Sequence, residues 1–322
     1  MTTPTPLPRR RLFRTGLALT AAAAAAPVLA ARAASAAPDA APDAAPHAPA
    51  GTGRAAGHDR VRAELSELER HYGARLGVYA RNTRTGRCVT YRAGERFAMC
   101  STFKVFAAAA VLRDHGDCAP LDRVVHYPPA DILPNAPRTA EHVDTGMTVG
   151  DLCAAAIQYS DNTAGNLLLR QIGGPAGLTR FFRSLGDDVS RLDRWETELN
   201  TAVPGDPRDT TTPAAIGRNL ERLTLGRALD RADRERLVTW LKGNTTSAER
   251  FGKGLPQGWV LGDKTGTGDY ASANDIGVAW TTRRTPVVLA VLSTKTAEDA
   301  AVDNALIADT AGILARAIAP GE

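Results

Sequence analysis

The chain has 322 residues, 43 % of them hydrophobic and 23 % charged, with 39 Lys and Arg against 35 Asp and Glu. That length buries a full core and suits one or two domains. Residues 1–36 hold five Arg and no Asp or Glu, so the rest of the chain carries 34 basic and 35 acidic residues, about −1. The formal charge of +4 belongs to the N-terminus and gives no reason to expect a nucleic-acid or anionic-membrane partner for the remainder.

Arg9, Arg10, Arg11 and Arg14 precede an apolar, alanine-rich run from Leu17 to Ala31. Small-residue cleavage sites follow at Ala31-Arg32-Ala33 and Ala34-Ser35-Ala36. The pattern predicts an export signal over residues 1–36, and Arg10-Arg11-Leu12-Phe13-Arg14 fits the twin-arginine type. The run is too short to span a membrane. No cysteine follows it before Cys88, which argues against a lipid anchor. Residues 37–57, rich in Ala, Pro and Gly, read as a disordered linker. The globular part is expected over 58–322.

Val61, Leu65 and Leu68 stand at helical spacing within 59–71. Residues 76–81 and 87–91 flank "NTRTGR", a hairpin with Gly86 in its turn. Residues 101–113 are helix-like. Thr148 is placed to cap a helix through Tyr159, with Asp151 three residues on. Helices over 163–172 and 177–185 end at Gly173 and Gly186. Thr212-Pro213 opens a helix to about Leu225, and 233–242 is another. Then the period changes: 259–264, 274–281 and 286–294 read as strands. Residues 299–318 close the chain as an alanine- and leucine-rich helix.

Strands at both chain ends and helices between them predict an α+β fold. One antiparallel sheet, flanked by helices, is built from 58–95 and 245–322, with an all-α lobe inserted over 96–244. A cleft between the lobes is the expected place for a site.

Cys88, Cys100, Cys118 and Cys153 show no Cys-x-x-Cys or Cys/His ligand spacing, and the six His show no paired metal spacing. No metal, cofactor or essential disulfide is expected. Three ligands and an open position for a metal hydrolase are not supplied.

The chemistry-bearing stretch is "MCSTFKVF". Ser101 and Lys104 share one helical face, and a serine becomes a nucleophile when a neighbouring base takes its proton. A lysine does this when burial or a nearby cation lowers its pKa. A lone Ser-x-x-Lys arises by chance. Here "YSDNT" (Ser160, Asp161, Asn162), "WETELN" (Glu196, Asn200) and "DKTGTG" (Lys264, Thr265, Gly266) follow in order.

On these motifs, and on "PGDPRDTTTP" at 204–213 and "NDIGVAW" at 274–280, the chain from about 59 to 320 resembles the class A serine β-lactamases. The resemblance implies a β-lactam hydrolase acting on penicillins and cephalosporins through an acyl-serine, and so conferring resistance; with the leader it is expected to be secreted or periplasmic, and a monomer is the default expectation. It implies that Ser101 attacks the ring carbonyl, Lys104 activates it, and Ser160 relays a proton to the leaving nitrogen with Lys264. Asn162, Thr265, Gly266, Thr267 and Arg250 bind the substrate, and the Ser101 and Thr267 N–H groups form an oxyanion hole. Glu196 and Asn200 hold the deacylating water. That separates a hydrolase from the two alternatives, a D-alanyl-D-alanine peptidase or transpeptidase and an acylated sensor domain. An Arg194–Asp209 ion pair closes the loop around Glu196. The Glu196–Thr197 bond is expected to be cis, although Thr197 stands where many relatives have proline. Asn135 replaces an aromatic at the cleft rim of many relatives. Gly268 and Ala107 stand where some relatives place partners for Cys100 and Cys153.

Overall fold

The computed structural model describes residues 52–114 and 121–322. The export signal, the linker up to residue 51, Cys118 and His115 lie outside the described residues. The elements in chain order are α1 (Thr52–Tyr72), β1 (Arg75–Asn82), β2 (Cys88–Tyr91), β3 (Phe97–Ala98), α2 (Phe103–Asp114), β4 (Val124–Val125) and β5 (Met147–Thr148). There follow α3 (Val149–Gln158), α4 (Asn162–Gln171), α5 (Gly174–Ser184), β6 (Thr210–Thr211), α6 (Pro213–Thr224), α7 (Arg231–Lys242) and α8 (Phe251–Gly254). Last come β7 (Val260–Gly268), β8 (Ser272–Trp280), β9 (Pro286–Thr294) and α9 (Asn304–Ile318).

Both chain ends supply one five-stranded sheet in the order β2-β1-β9-β8-β7, antiparallel throughout. Strand alternation divides its two faces. Val288, Ala290 and Leu292 of β9 join a core with α2 to α7, while Val287, Leu289 and Val291 join α1 and α9 on the other side. With both faces covered, β9 is buried along almost its whole length. Gly217 lets α6 lie close on β1, because a Cβ there would come within 2.4 Å of the Tyr79 ring.

The expected caps form. The Thr148 hydroxyl accepts from Asp151 N, and the Thr212 hydroxyl accepts from Ala215 N with Pro213 at the first helical position. Gly86, Gly173 and Gly186 take the positive φ that their turns need. Three boundaries differ from expectation. α1 starts at Thr52, inside the stretch read as linker. α9 starts at Asn304 rather than 299, with Asp303 held in an ion pair by Lys295. β7 runs on to Gly268, four residues beyond the expected end at Lys264. β7 is the edge strand, and the helical segment faces it across the cleft.

Candidate active site

Four stretches of chain meet at this cleft. The first is the turn from β3 into α2. Cys100 sits at φ +45 there, a costly conformation for a residue with a side chain. It opens a 3-10 turn, Cys100–Thr102, that runs directly into α2. Ser101 and Lys104 therefore fall on one face, and Lys104 Nζ donates to Ser101 Oγ at 2.9 Å.

The second stretch is the α3–α4 junction. Ser160 holds φ +56, which turns the chain so that its carbonyl accepts from Lys104 Nζ at 2.8 Å. Asn162 Oδ1 accepts from the same ammonium at 2.6 Å. Asp161 is fully buried and is not aimed at the cleft. It caps α4 and accepts from Arg138 N, Thr139 N and the Thr139 hydroxyl.

The third is the 194–209 loop. Arg194 Nε lies 2.6 Å from Asp209 Oδ2, and Asp209 Oδ1 accepts from Asp193 N and Arg194 N. The closed loop carries Glu196 inward. Its Oε1 is 2.9 Å from Lys104 Nζ and 3.4 Å from Ser101 Oγ, and its Oε2 accepts from Asn200 Nδ2 at 2.6 Å. The Glu196–Thr197 peptide bond is cis.

The fourth is β7. Lys264 Nζ donates to Ser160 Oγ at 3.0 Å and to Thr265 O at 2.7 Å. Burial, and then Lys104 beside it, hold this ammonium well below the usual lysine range, while Asp263 and Asp275 pull the other way. Gly266 is required at this crossing, since a Cβ would stand 3.0 Å from Met99 O and 3.2 Å from Cys100 Cβ. Arg250 is buried beneath the strand. Its guanidinium donates to Gly266 O, Asn274 O, Thr267 Oγ1 and Asn304 Oδ1.

Ser101, Ser160, Asn162, Asn200, Arg250, Thr265, Gly266 and Thr267 line one open cavity of about 350 Å³. Lys104, Glu196 and Lys264 form its buried floor. A larger cavity of about 750 Å³ lies behind the 202–208 segment, against Arg96 and Phe97. It holds no nucleophile–base pair, so the chemistry points to the smaller one.

Three polar residues here, Asn166, Asn274 and Thr246, were not singled out in the sequence. Asn166 clamps Glu196 from both sides: its Oδ1 accepts from Glu196 N, and its Nδ2 donates to Glu196 O. Its signal was the i, i+4 spacing from Asn162 on α4. Asn274 Nδ2 donates to Ala98 O and Met99 O, tying β8 to the nucleophile turn. Thr246 Oγ1 meets Thr265 Oγ1 at 2.6 Å and donates to Asn244 Oδ1. Asn135, at φ +57, donates to Ser160 O from the cleft rim. Cys88, Cys100 and Cys153 are free thiols.

A serine that touches both a buried amine and a buried carboxylate, on an antiparallel sheet with a helical lobe, defines a β-lactam hydrolase of the class A serine type. The chain belongs to the β-lactamase enzyme family, whose model matches residues 60–318. It is 52 % identical over 255 residues to β-lactamase AST-1 of Nocardia asteroides, covering 79 % of this chain and 82 % of that one. It is 54 % identical over 277 residues to a β-lactamase of Streptomyces fradiae, covering 84 % and 89 %. The solved β-lactamase of Streptomyces albus G aligns with a TM-score of 0.79 at 52 % identity, over 80 % of this chain and 99 % of that one.

Proposed function

We propose that this protein is an exported β-lactamase that opens penicillins and cephalosporins through an ester on Ser101 and so confers β-lactam resistance. The observation that carries the reading is Glu196, held by Asn200 and facing Ser101 Oγ at 3.4 Å.

In the first half-reaction Ser101 Oγ attacks the lactam carbonyl. Its proton leaves toward Lys104 or Glu196, both in contact with the hydroxyl. The backbone N–H groups of Ser101 and Thr267 receive the oxyanion, each donor worth about 2.7–4 kcal/mol. Ser160, hydrogen-bonded to Lys264, delivers a proton to the departing ring nitrogen. Lys264, Thr265 and Thr267 take the substrate carboxylate, with Arg250 holding Thr267 Oγ1. Asn162 takes the acyl-amide side chain. In the second half-reaction Glu196 removes a proton from water, which attacks the Ser101 ester. The Ω-loop closed by Arg194 and Asp209 keeps that carboxylate in place. No step needs a cofactor.

Export rests on the arginine-rich leader in residues 1–36. Among the described residues no helix is long and apolar enough to cross a membrane. A monomer free in the periplasm or medium, with small-molecule substrates as its partners, is the corresponding expectation.

The test is turnover. The mature protein is mixed with a large excess of benzylpenicillin and the loss of lactam absorbance is followed. Sustained hydrolysis over many equivalents is expected. A burst of one equivalent and then a plateau would instead make the protein a penicillin-binding peptidase or sensor.

A further inference from the structure

Beside the cleft, buried between β7, β8 and α8, lies a second ionisable pair that the reaction above does not use. Asp263 on β7 and Asp275 on β8 are 2 % and 0 % exposed. In the β7–β8 register Asp263 stands opposite Gly277 and Asp275 opposite Thr265, so the two aspartates are diagonal neighbours on one face. Gly277 makes room for this, since a Cβ there would stand 2.8 Å from Asp263 Cβ.

Each carboxyl has one oxygen satisfied. Asp263 Oδ1 accepts from Asn244 Nδ2 at 3.0 Å, and Asp275 Oδ2 accepts from Phe251 N at 3.1 Å. Asp263 Oδ2 and Asp275 Oδ1 find no donor among the described residues, although both are buried and the strand register sets the two carboxyls side by side. Two acceptor oxygens meeting out of water repel unless a proton lies between them.

We propose that Asp263 and Asp275 share one proton at neutral pH, and that this proton leaves the cleft floor one charge more positive, matched to a substrate bearing a single carboxylate. The second half of this proposal rests on the β-lactam reading above. Burial, reinforced by the Asp263 charge, holds Asp275 well above the usual carboxylate range. Burial also raises Asp263, while the hydrogen bond from Asp275 lowers it. The proton therefore sits on Asp275 and is donated to Asp263.

The charges facing the pair are few. Lys264 lies beside Asp263 on β7, and Arg250 precedes α8. Lys104 and the Cys100 thiol stand behind these two. β9 brings only Pro, Ser, Thr and aliphatic side chains. On α6, α7 and α9, Glu221 is engaged by Arg81, Lys242 lies over Trp280, and Asp309 accepts from Tyr72.

Lys104 and Glu196 cancel each other. Two bare carboxylates would likewise cancel Lys264 and Arg250, leaving nothing for an anion. One shared proton leaves the Lys264 and Arg250 side of the site with one negative charge fewer to offset it. The pair also reaches the substrate site through a relay: Asp263 accepts from Asn244, whose oxygen accepts from Thr246, whose hydroxyl meets Thr265.

The experiment has two readouts. The first is the infrared stretch of a protonated carboxyl in the wild-type protein, followed from neutral to alkaline pH. The band is expected at neutral pH, is lost on alkaline titration, and is absent from Asp275→Asn. No band at neutral pH overturns the shared proton, and this readout needs neither a variant nor activity. The second is KM for benzylpenicillin against pH. The wild-type KM is expected to rise about tenfold as the proton leaves, and the rise is smaller in Asp275→Asn, whose amide fixes the pair at one negative charge. An identical profile in that variant overturns the charge matching. A band of the expected behaviour in a protein that hydrolyses no penicillin leaves the shared proton standing and overturns the β-lactamase reading instead.

Discussion

Lys104 Nζ lies 2.9 Å from Glu196 Oε1, with neither side chain exposed. The same ammonium holds Ser101 Oγ, Ser160 O and Asn162 Oδ1, so its donors are committed to three chain segments that are distant in sequence. Ser101, the Ser160 turn and the loop that carries Glu196 are thus fixed relative to one cation. That arrangement makes the two half-reactions separable by substitution.

Glu196→Gln keeps the shape and an acceptor for Lys104 but removes the base that deacylation needs. Hydrolysis of benzylpenicillin should fall about 10²–10⁴-fold. The variant should also accumulate one covalent equivalent on Ser101, read as a mass shift of the intact protein. Full turnover in the variant would remove Glu196 from the mechanism.

Arg194→Ala opens the loop that carries Glu196. Asp209 is 1 % exposed on its side chain and would keep only its two backbone donors. Breaking one side of a buried pair costs about 3–5 kcal/mol, which lowers Tm by roughly 6–15 °C. Deacylation should slow more than acylation, because Ser101 and Lys104 belong to a separate segment. Calorimetry and a burst assay check the two halves. An unchanged Tm would reduce the pair to a surface contact.

Much of this site was legible because its motifs are local. Ser101 and Lys104 are set by one helical turn, and the hairpin of β1 and β2 by alternation around Gly86. The misread boundaries have tertiary causes. β7 continues past Lys264 through Gly266 and Gly268, where the Met99–Cys100 turn and Asn200 cross too closely for side chains. Alanine propensity extends the last helix back to 299, whereas the Lys295–Asp303 contact holds the preceding segment outside it. The pairs β3–β6 and β4–β5 are two residues per strand, too short to show any period. Asn166 shares a helical face with Asn162, but its partner Glu196 lies 30 residues on, and the partner of Asp275 lies 12 residues away, so local spacing names neither partner.

Cys100 adjoins the nucleophile but is sealed from solvent. Burial, and then the Glu196 charge, push its thiol up to about 12. Only the thiolate alkylates readily. Native protein treated with iodoacetamide at mildly alkaline pH should therefore remain unmodified at Cys100, and denatured protein should be labelled there. Peptide mass spectrometry distinguishes the two. Labelling in the native state would mean that the turn opens on the time scale of the reaction.

Asp187 gives the fold an acid limb. Burial alone would raise its carboxyl, but donors from Ser190, Val189 and Asn219 prevail and hold it below the usual range. A carboxylate whose pKa is depressed in the folded state binds fewer protons there than in the unfolded chain. Its stabilising contribution is complete above the unfolded value of about 3.9 and is lost as pH falls through the lower folded value. Asp187→Asn should therefore be less stable than wild type at neutral pH. The gap between the two should narrow on acidification through that window, as read by denaturant unfolding at each pH. A gap that stays constant with pH would assign the loss to packing rather than to charge.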